Sequence, residues 1–477
     1  MRRSQFPSRS MTEGSPAKVL VLFTLPIIAG DFCHLLYSMA DALIVGRTMG
    51  VDALAAVGCT TPIVSFVSGF VIGLTGGFSI ILAQRFGAAQ KAMQKAALTA
   101  GGDKDALRMS FTVSVLFSFA AGLILAVLLV PLIRPVLAML NTPAEITEGA
   151  ASYMFFIIGG MPISALNFIF GASIRSLGDS KTPLFFWVLS SLVNIGLDFW
   201  FILFFRWGIA GAAAATVISQ LCSFIGCAIF IVKKRRDLLP DKRLLHLLPG
   251  KLKEEFFAHI GLGSSMGLQR SIVEVGNILV QTGMNGLGTM AIAAVAAGQR
   301  IRHLNMLPLF CIGMAVSTFT AQNYGAGKIK RIYQGIRHAC IIALGFSFVM
   351  ALVNFLFGPR LAGLFLIDAP EAVSLAGRYI NFIGAALFLL ALMLIFRSAM
   401  QGAGKNISPT ICSILETVMS ILTAFLLIPF LGFTGLCLAN PLSWLVSGIP
   451  LYAAFVLFVR EQRRNTAAIE LSSRQEA

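Results

Sequence analysis

The first long apolar segment of the chain, Thr24–Arg47, reads TLPIIAGDFCHLLYSMADALIVGR. It is long and apolar enough to cross a bilayer as one helix, yet it contains two aspartates, Asp31 and Asp41. A charged side chain at the bilayer centre costs about 2.5–3.5 kcal/mol, so such a group is usually paired, faces a wet cavity or binds an ion. Pro26 lacks a backbone N–H and favours a bend. The segment therefore predicts a spanning helix with a hinge at Pro26 and an ion-binding carboxylate beyond it.

The composition is that of an integral membrane protein. Of the 477 residues, 57% are hydrophobic and 12% are charged, whereas soluble domains carry about 25% charged residues. A spanning helix needs about 20 apolar residues, and twelve such segments fit. The predicted spans are 17–46, 54–82, 109–132, 150–174, 184–205, 208–232, 257–282, 290–322, 338–358, 375–396, 410–430 and 436–459. We therefore predict an all-α polytopic fold with 12 transmembrane helices.

The net charge is +16, and the distribution of the basic residues along the chain indicates the membrane topology. Most Lys and Arg residues fall in alternate loops, which the positive-inside rule places in the cytoplasm. We expect a multi-pass protein of the cell (inner) membrane with both termini cytoplasmic. The longest basic connection, 233–256, is interpreted as a linker that contacts anionic lipid headgroups; a nucleic-acid or lipid-binding patch is the alternative. We expect membrane lipids, and no nucleic acid, as partners.

Four motifs of the first half recur in the second half. AQRFGA at Ala83–Ala88 returns as AQNYGA at Ala321–Ala326, and Gly208-Ile-Ala-Gly211 returns as Gly432-Phe-Thr-Gly435. The other two pairs are LAAV at 54–57 with IAAV at 292–295, and the Phe170, Gly178, Pro183 series with Phe396, Gly404, Pro409. A duplicated unit of six helices places both copies in the same membrane orientation. The predicted domains are a tail at 1–16, lobes at 17–232 and 257–459, the linker at 233–256 and a tail at 460–477.

Polar side chains of three spans reach a similar depth in the first lobe. Asn194 and Asp198 share one face of the fifth span, and Thr216 lies in the sixth. At about 1.5 Å per residue, Asp198 lies roughly 21 Å from the inner surface and Thr216 roughly 12 Å from the outer surface, and Asp41 is also in the outer half. Two carboxylates, an amide carbonyl and a hydroxyl are hard oxygen ligands that suit Na⁺, or a proton shared by the carboxylates. Asp41, Asn194, Asp198 and Thr216 are thus the predicted cation site; the alternative is that each one only bonds a neighbouring helix.

The second lobe lacks the carboxylate pair. Alignment of the repeats places Asn277 opposite Asp41, and Asp198 falls opposite Leu422, Thr423 or Ala424. Three polar residues of the seventh span, Gln269, Glu274 and Asn277, are candidates for a substrate cavity. Glu274 has an alternative interpretation, because Arg270 lies four residues before it and the two can form an ion pair within the helix.

The motifs that the chain lacks narrow the function. It has no GxxxxGK[ST] phosphate loop, no HExxH and no selectivity-filter sequence, and its eight cysteines have no metal-ligand spacing. Its five scattered histidines do not supply the clustered ligands of a membrane enzyme. We expect no enzyme activity and no cofactor.

Several motifs together resemble the multidrug and toxic compound extrusion (MATE) family over nearly the whole chain. They are TLP in the first span, YSMADALIVGR followed by LAAVG, AQRFGA and AQNYGA, RSLGDSKTP after the fourth span, and NIGLD in the fifth. Span seven departs from the pattern, because SSMG at 264–267 stands where a proline is common.

The resemblance implies two six-helix lobes in a V-shaped arrangement. It also implies efflux of organic, cationic and lipophilic compounds in exchange for Na⁺ or H⁺, by alternating access. The implied cation site matches Asp41, Asn194, Asp198 and Thr216, and the implied bend in the first span matches Pro26. The alternative is a flippase of lipid-linked precursors in the related superfamily. We expect small organic molecules as substrates and a monomer.

Overall fold

The computed structural model describes residues 10–94, 100–240, 242–366 and 369–475. The first nine residues of the predicted N-terminal tail, Asp241 of the basic linker and the last two residues of the C-terminal tail lie outside the described residues. Contacts divide the chain into two compact units: unit 1 contains Val21–Glu274 and unit 2 contains Val275–Ala477 with Ser15–Leu20. The division between the units falls after Glu274, whereas the predicted linker between the lobes is at 233–256. The lobe boundaries stay a prediction.

The described residues fold into helices and contain no strand. The helices up to the chain's midpoint are α1 (Pro16–Met49), α2 (Val51–Gln94), α3 (Ala100–Leu129), α4 (Ile133–Met139), α5 (Ala144–Gly159), α6 (Met161–Ser176), α7 (Lys181–Asp198), α8 (Ile209–Lys234) and α9 (Lys242–Asn285). Those that follow are α10 (Thr289–Gly325), α11 (Ile329–Gly363), α12 (Pro370–Gly402), α13 (Ile407–Leu422), α14 (Ile428–Leu431) and α15 (Phe433–Gln475). Short 3₁₀ turns occupy Val130–Leu132 and Arg236–Leu238, and π-helical turns occupy Phe199–Phe204 and Thr423–Leu427.

The predicted spans lie in these helices to within a residue or two. In the described part of the chain, ten helices are long and apolar enough to cross a membrane, and the pair α5–α6, bent by 46°, is an eleventh. The bend falls where Gly160 caps α6 and Pro162 removes a backbone donor. The predicted seventh span, 257–282, lies in α9, which is 44 residues long but is not among those ten. Its glycine, serine, amide and charged residues lower its apolar content.

The internal repeat is visible in the backbone. Gly50 and Gly288 both have φ near +87°, a conformation that favours glycine because it has no Cβ, and they are spaced like the repeated AQ motifs. The two π-helical turns are also paired, since one follows α7 and precedes Gly208, and the other follows α13 and precedes Gly432. The sequence motifs and these backbone features together confirm a duplicated six-helix arrangement.

The buried core of each unit lies between helices rather than in one central layer. One cluster of unit 1 joins α2, α3, α6 and α8 through Leu82, Phe86, Leu107, Ile174 and Ile231. One cluster of unit 2 joins α10 and α12 through Ala294, Ile301, Ala376 and Ile380. Large apolar side chains also point outward, as Phe348 and Phe355 do with more than 70% of their surface exposed. This outward apolar surface is what a lipid environment requires.

The first part of α9 belongs to unit 1. Gly73 and Gly77 of α2 face Gly263 and Gly267 of α9, and a Cβ on Gly77 would lie 2.6 Å from Gly263 Cα. Paired small residues four positions apart let spanning helices approach closely. This contact aligns α9 with α2 along its apolar part.

Polar contacts hold the start of α9 in unit 1. Glu255 accepts a hydrogen bond from Arg85 of α2 at 2.7 Å. His259 is fully buried; its Nδ1 donates to the Glu255 carbonyl (2.7 Å), and its Nε2 lies 3.1 Å from Ser114 Oγ on α3. The predicted seventh span is therefore anchored to α2 and α3 by an ion pair and a buried histidine.

Candidate functional site

The four residues predicted as a cation site come from three helices of unit 1. Asp41 lies on α1, and Thr216 lies on α8. Asp198 is the last residue of α7, and Asn194 lies one turn before it. Apolar contacts hold α1 against the other two: a cluster joins Val45 of α1 with Ile202 after α7 and Ala212 of α8. Since this cluster lies one turn beyond Asp41, it positions α1 so that its polar face meets α7 and α8.

The structure brings the two carboxyl groups into direct contact. The side chains of Asp41 and Asp198 are within hydrogen-bonding distance of each other. A hydrogen bond between two carboxyl groups requires a proton on one of them, because two carboxylates offer only acceptors. The contact between spans one and five is therefore a place where one proton can be held by two acidic groups.

Asn194 links Asp198 to α8. With its amide oriented so that both groups are satisfied, the nitrogen donates to Asp198 Oδ2 at 2.9 Å and the oxygen accepts from the Thr216 backbone N–H at 3.1 Å. The Asn194 nitrogen thus stabilises the carboxyl group, whereas the sequence interpretation assigned its oxygen to an ion. The Thr216 hydroxyl donates to the Ala212 carbonyl at 3.1 Å.

The site is shielded from the surroundings to different degrees. Asp198 is 0% exposed and Asn194 is 1% exposed, whereas Asp41 and Thr216 are half-buried. One oxygen of each carboxyl group, Oδ1, is buried and has no hydrogen-bond partner. A buried carboxyl oxygen without a donor is costly, so these two oxygens are available to a proton or a small cation. The donor set fits Na⁺ as well as H⁺ because all of the oxygens are hard ligands.

Two tyrosines complete the surroundings of the carboxyl groups and were missed by sequence reasoning. The Tyr37 hydroxyl is hydrogen-bonded to the Thr216 side chain, and both Tyr37 and Tyr153 lie within electrostatic range of Asp41 and Asp198. Tyr37 precedes Asp41 by one helical turn, so helical spacing could have found it. Tyr153 comes from α5, and no local signal connects it with the site.

A π-helical turn also borders the site. It begins at Phe199, the residue after Asp198. π-helical turns are frequent at functional sites, because an extra residue in the turn leaves backbone groups unpaired and shifts the side chains that follow. The sequence gives no pattern for it.

The predicted hinge and the second acidic residue of α1 also lie in unit 1. Pro26 lies inside α1, which continues as one helix of 34 residues, so its role as a hinge stays a prediction. Asp31 interacts electrostatically with Arg175 of α6. Arg175 also lies over the Trp187 ring at 5.7 Å, and the His34 ring lies 6.4 Å from the same indole. The Asp31 charge thus has a basic neighbour, Arg175, on another helix.

The three polar residues predicted on the seventh span are placed in different surroundings. Asn277 lines a cavity of about 180 Å³ that lies within unit 2. Gln269 is 1% exposed and donates to Ser265 Oγ at 3.1 Å, so it packs inside unit 1. Glu274 is half-buried and is not part of the cavity lining. The cavity role of Gln269 and Glu274 stays a prediction.

Comparison with known proteins identifies the family. The MatE family profile matches residues 26–200 and 266–426, which is most of the chain. The chain belongs to the MatE family. The matched segments contain Asp41, Asn194 and Asp198, whereas Thr216 lies between them.

Relatives and solved structures agree with this family over nearly the full length. The chain is 27% identical to the probable multidrug resistance protein YoeA of Bacillus subtilis, over 98% of this chain and 100% of the relative. It is 26% identical to a protein named FAD transporter from Shewanella oneidensis, over 91% of this chain and 93% of the relative. A MATE transporter structure from Vibrio cholerae superposes with a TM-score of 0.84 at 21% identity, over 94% of this chain and 97% of that one. This MatE protein is therefore a multi-pass membrane transporter of the multidrug efflux class with the MATE fold.

Proposed function

We propose that this transporter is a secondary active antiporter, which exports organic, cationic and lipophilic compounds in exchange for Na⁺ or H⁺ by alternating access. The observation that carries the proposal is the contact between Asp41 and Asp198. Two acidic groups on different helices hold one cation or one proton between them, and they repel each other when both are empty. The occupancy of the site can therefore control whether α1 and α7 stay together.

The direct contact between the carboxyl groups favours H⁺ as the coupling ion. A shared proton makes a short hydrogen bond between two carboxyl oxygens, whereas a Na⁺ ion bound by both would stand between them and separate them. Asn194 supports this arrangement, because its nitrogen donates to Asp198 Oδ2 and holds the carboxyl group in place beside Asp41.

The ion is linked to substrate export through α1. Ion entry lets Asp41 approach Asp198, and release of the ion restores repulsion between two carboxylates. Pro26 lies 15 residues before Asp41 on the same helix and leaves one backbone carbonyl without its helical donor. This position allows the helix to bend when the contact between Asp41 and Asp198 is lost. The bend then shifts the equilibrium between the inward-open and outward-open states.

The substrate class is supported by the relatives and by the composition of the spans. Several relatives are named for multidrug resistance or multidrug export, which suits compounds of varied structure. The spans contain numerous phenylalanines and methionines, whose side chains suit contacts with lipophilic molecules. We further propose that the protein acts as a monomer among membrane lipids, with both termini in the cytoplasm, which labelling of single engineered cysteines from either side of the membrane can check.

The test is transport in proteoliposomes under an imposed Na⁺ or pH gradient, with a panel of cationic dyes. Wild-type protein should export dye under one gradient, and Asp41→Asn and Asp198→Asn should reduce export to the level of empty liposomes. Asp52→Asn is the matched control, because Asp52 is an exposed carboxylate in the first turn of α2. Undiminished export by either Asn variant, with protein that elutes as a single folded species, would defeat the proposal.

A further inference from the structure

The cavity in unit 2 is polar and has one basic side chain. About 180 Å³ in volume, it is enclosed by α10, α12, α13, α15 and the end of α9. Its polar lining includes Arg302, Asn277, Gln281, Gln299, Asn440 and Tyr379. None of the lining residues that the structure describes is Asp or Glu. The cavity therefore presents amide groups, hydroxyl groups and one guanidinium.

The repeat makes this cavity the counterpart of the carboxylate site in unit 1. Asn277 aligns with Asp41, Tyr379 is offset from Tyr153 by the spacing of the Phe170 and Phe396 motifs, and Asn440 is offset from Thr216 by the spacing of the GIAG and GFTG motifs. The same backbone positions thus surround a polar site in both units. The charge differs in sign, because unit 2 carries Arg302 where unit 1 carries two carboxyl groups.

Arg302 is only partly satisfied by the protein. Its Nη1 donates to Asn440 Oδ1 at 3.2 Å, whereas its Nε is buried and has no hydrogen-bond partner. Glu416, an acidic residue on α13 of the same unit, is bound to Arg397 at 3.0 Å and does not line the cavity. A half-buried guanidinium with a buried N–H that has no acceptor is stabilised when a negatively charged acceptor binds to it.

We propose that the unit 2 cavity binds the oxyanion of an organic compound, a carboxylate or a phosphate group. Guanidinium presents its N–H groups in a planar fork that matches both groups, and the amide nitrogen of Gln299, in the same lining, supplies a further donor. Drug-sized ligands need cavities of about 300–1,000 Å³, so this cavity takes the acidic group and the atoms next to it rather than a whole molecule. No residue of the cation site takes part, so the proposal stands apart from the proposed function.

A pair of fluorescent probes that differ only in a phosphate tests the inference. Binding of flavin mononucleotide and of riboflavin to the purified protein is measured by fluorescence anisotropy, with inorganic phosphate as competitor. We expect the phosphorylated probe to bind at least about tenfold more tightly than riboflavin, as a charge-assisted hydrogen bond requires. Arg302→Gln should bring the ratio of affinities close to one, and Arg302→Lys should retain part of it because the charge stays without the fork.

Controls separate the inference from general charge effects and from the proposed function. Arg300→Gln removes an exposed arginine from the same helix, outside the cavity lining, and should keep the wild-type ratio. Asp198→Asn should also keep it, even though dye export is lost. The inference is overturned if wild-type protein binds both probes equally, if folded Arg302→Gln keeps the preference, or if inorganic phosphate binds while the preference is absent, since the cavity would then accept only small free ions.

Discussion

The two polar sites of this transporter occupy equivalent positions of a repeated backbone and carry opposite charge. In unit 1 the carboxyl groups of Asp41 and Asp198 meet beside Tyr153, and in unit 2 Arg302 and amide side chains surround Tyr379. Each half has a π-helical turn at the corresponding place, and three glycines with positive φ, Gly50, Gly178 and Gly208, have counterparts in Gly288, Gly404 and Gly432. The backbone therefore determines where a polar site forms, and a few side chains determine which charge it binds.

The largest effect should come from removing either carboxyl group of the unit 1 site. Each single change, Asp41→Asn or Asp198→Asn, should weaken ion-coupled export by at least about a hundredfold, because it removes one of the two acidic groups that hold the ion between them. The double variant should export no more slowly than the less active of the two single variants, since groups that hold one ion together act as a unit. Initial export rates in proteoliposomes measure all three.

Independent roles would give a different result. If Asp41 and Asp198 each bound an ion of their own, the losses of the two single variants would multiply in the double variant. That outcome would mean that the two carboxyl groups do not form one shared ion site. The comparison of one acidic site in unit 1 with one basic site in unit 2 would then fail.

The fold and the members of the unit 1 site were accessible from sequence because their signals are periodic or local. Apolar runs predict the spans, the repeated motifs predict the duplication, and charged residues inside apolar runs single out Asp41 and Asp198. Helix rise then gives a common depth. The structure places these two side chains in contact, as their common depth predicts.

The parts that the sequence did not predict depend on packing between distant segments. Tyr153 joins the site from α5 only through the way the helices pack, and the Asn194 amide orientation follows from the donors and acceptors around it. Gln269 looked like Asn277 in sequence, yet the close glycine contacts of α9 with α2 bury it in unit 1. Arg302 was one of several arginines in apolar segments, and only the cavity distinguishes it.

A carboxylate placed in unit 2 should cancel its anion preference. Asn277→Asp recreates in unit 2 the residue that aligns with it in unit 1, and the new charge lines the same cavity as Arg302. We expect the preference for flavin mononucleotide over riboflavin to fall by about tenfold or more. The new carboxylate would attract the Arg302 guanidinium and would repel the negatively charged phosphate. Asn277→Ala, which adds no charge, should lower the preference by less. An Asp variant that binds the phosphate as tightly as wild type would mean that residue 277 does not face the bound anion.

Loss of the hydrogen bond from Asn194 should affect ion-coupled export less than loss of either carboxyl group of unit 1. It should have a larger effect than loss of the Thr216 hydroxyl. Asn194→Leu keeps the side-chain size and removes the donor to Asp198 Oδ2. A hydrogen bond to a charged group contributes about 1.5–3 kcal/mol, so the ion concentration for half-maximal export should shift by about tenfold or more. Ser191→Ala on the same helix is the matched control, because that hydroxyl donates to the Trp187 carbonyl within α7. Equal shifts in the two variants would point to general destabilisation of α7.

The smallest effect should come from the Thr216 hydroxyl. Thr216→Val removes an oxygen that is bonded to Tyr37 and to the Ala212 carbonyl, and it keeps the shape of the side chain. Its oxygen is one neutral group at the edge of the carboxyl pair, and a neutral hydrogen bond contributes about 0.5–1.5 kcal/mol. The half-maximal ion concentration should therefore shift by about threefold to tenfold, and Thr216→Ser should restore it because the hydroxyl returns. If Thr216→Ser behaves like Thr216→Val, the methyl group rather than the hydroxyl matters, and the position would then serve α8 packing rather than the ion.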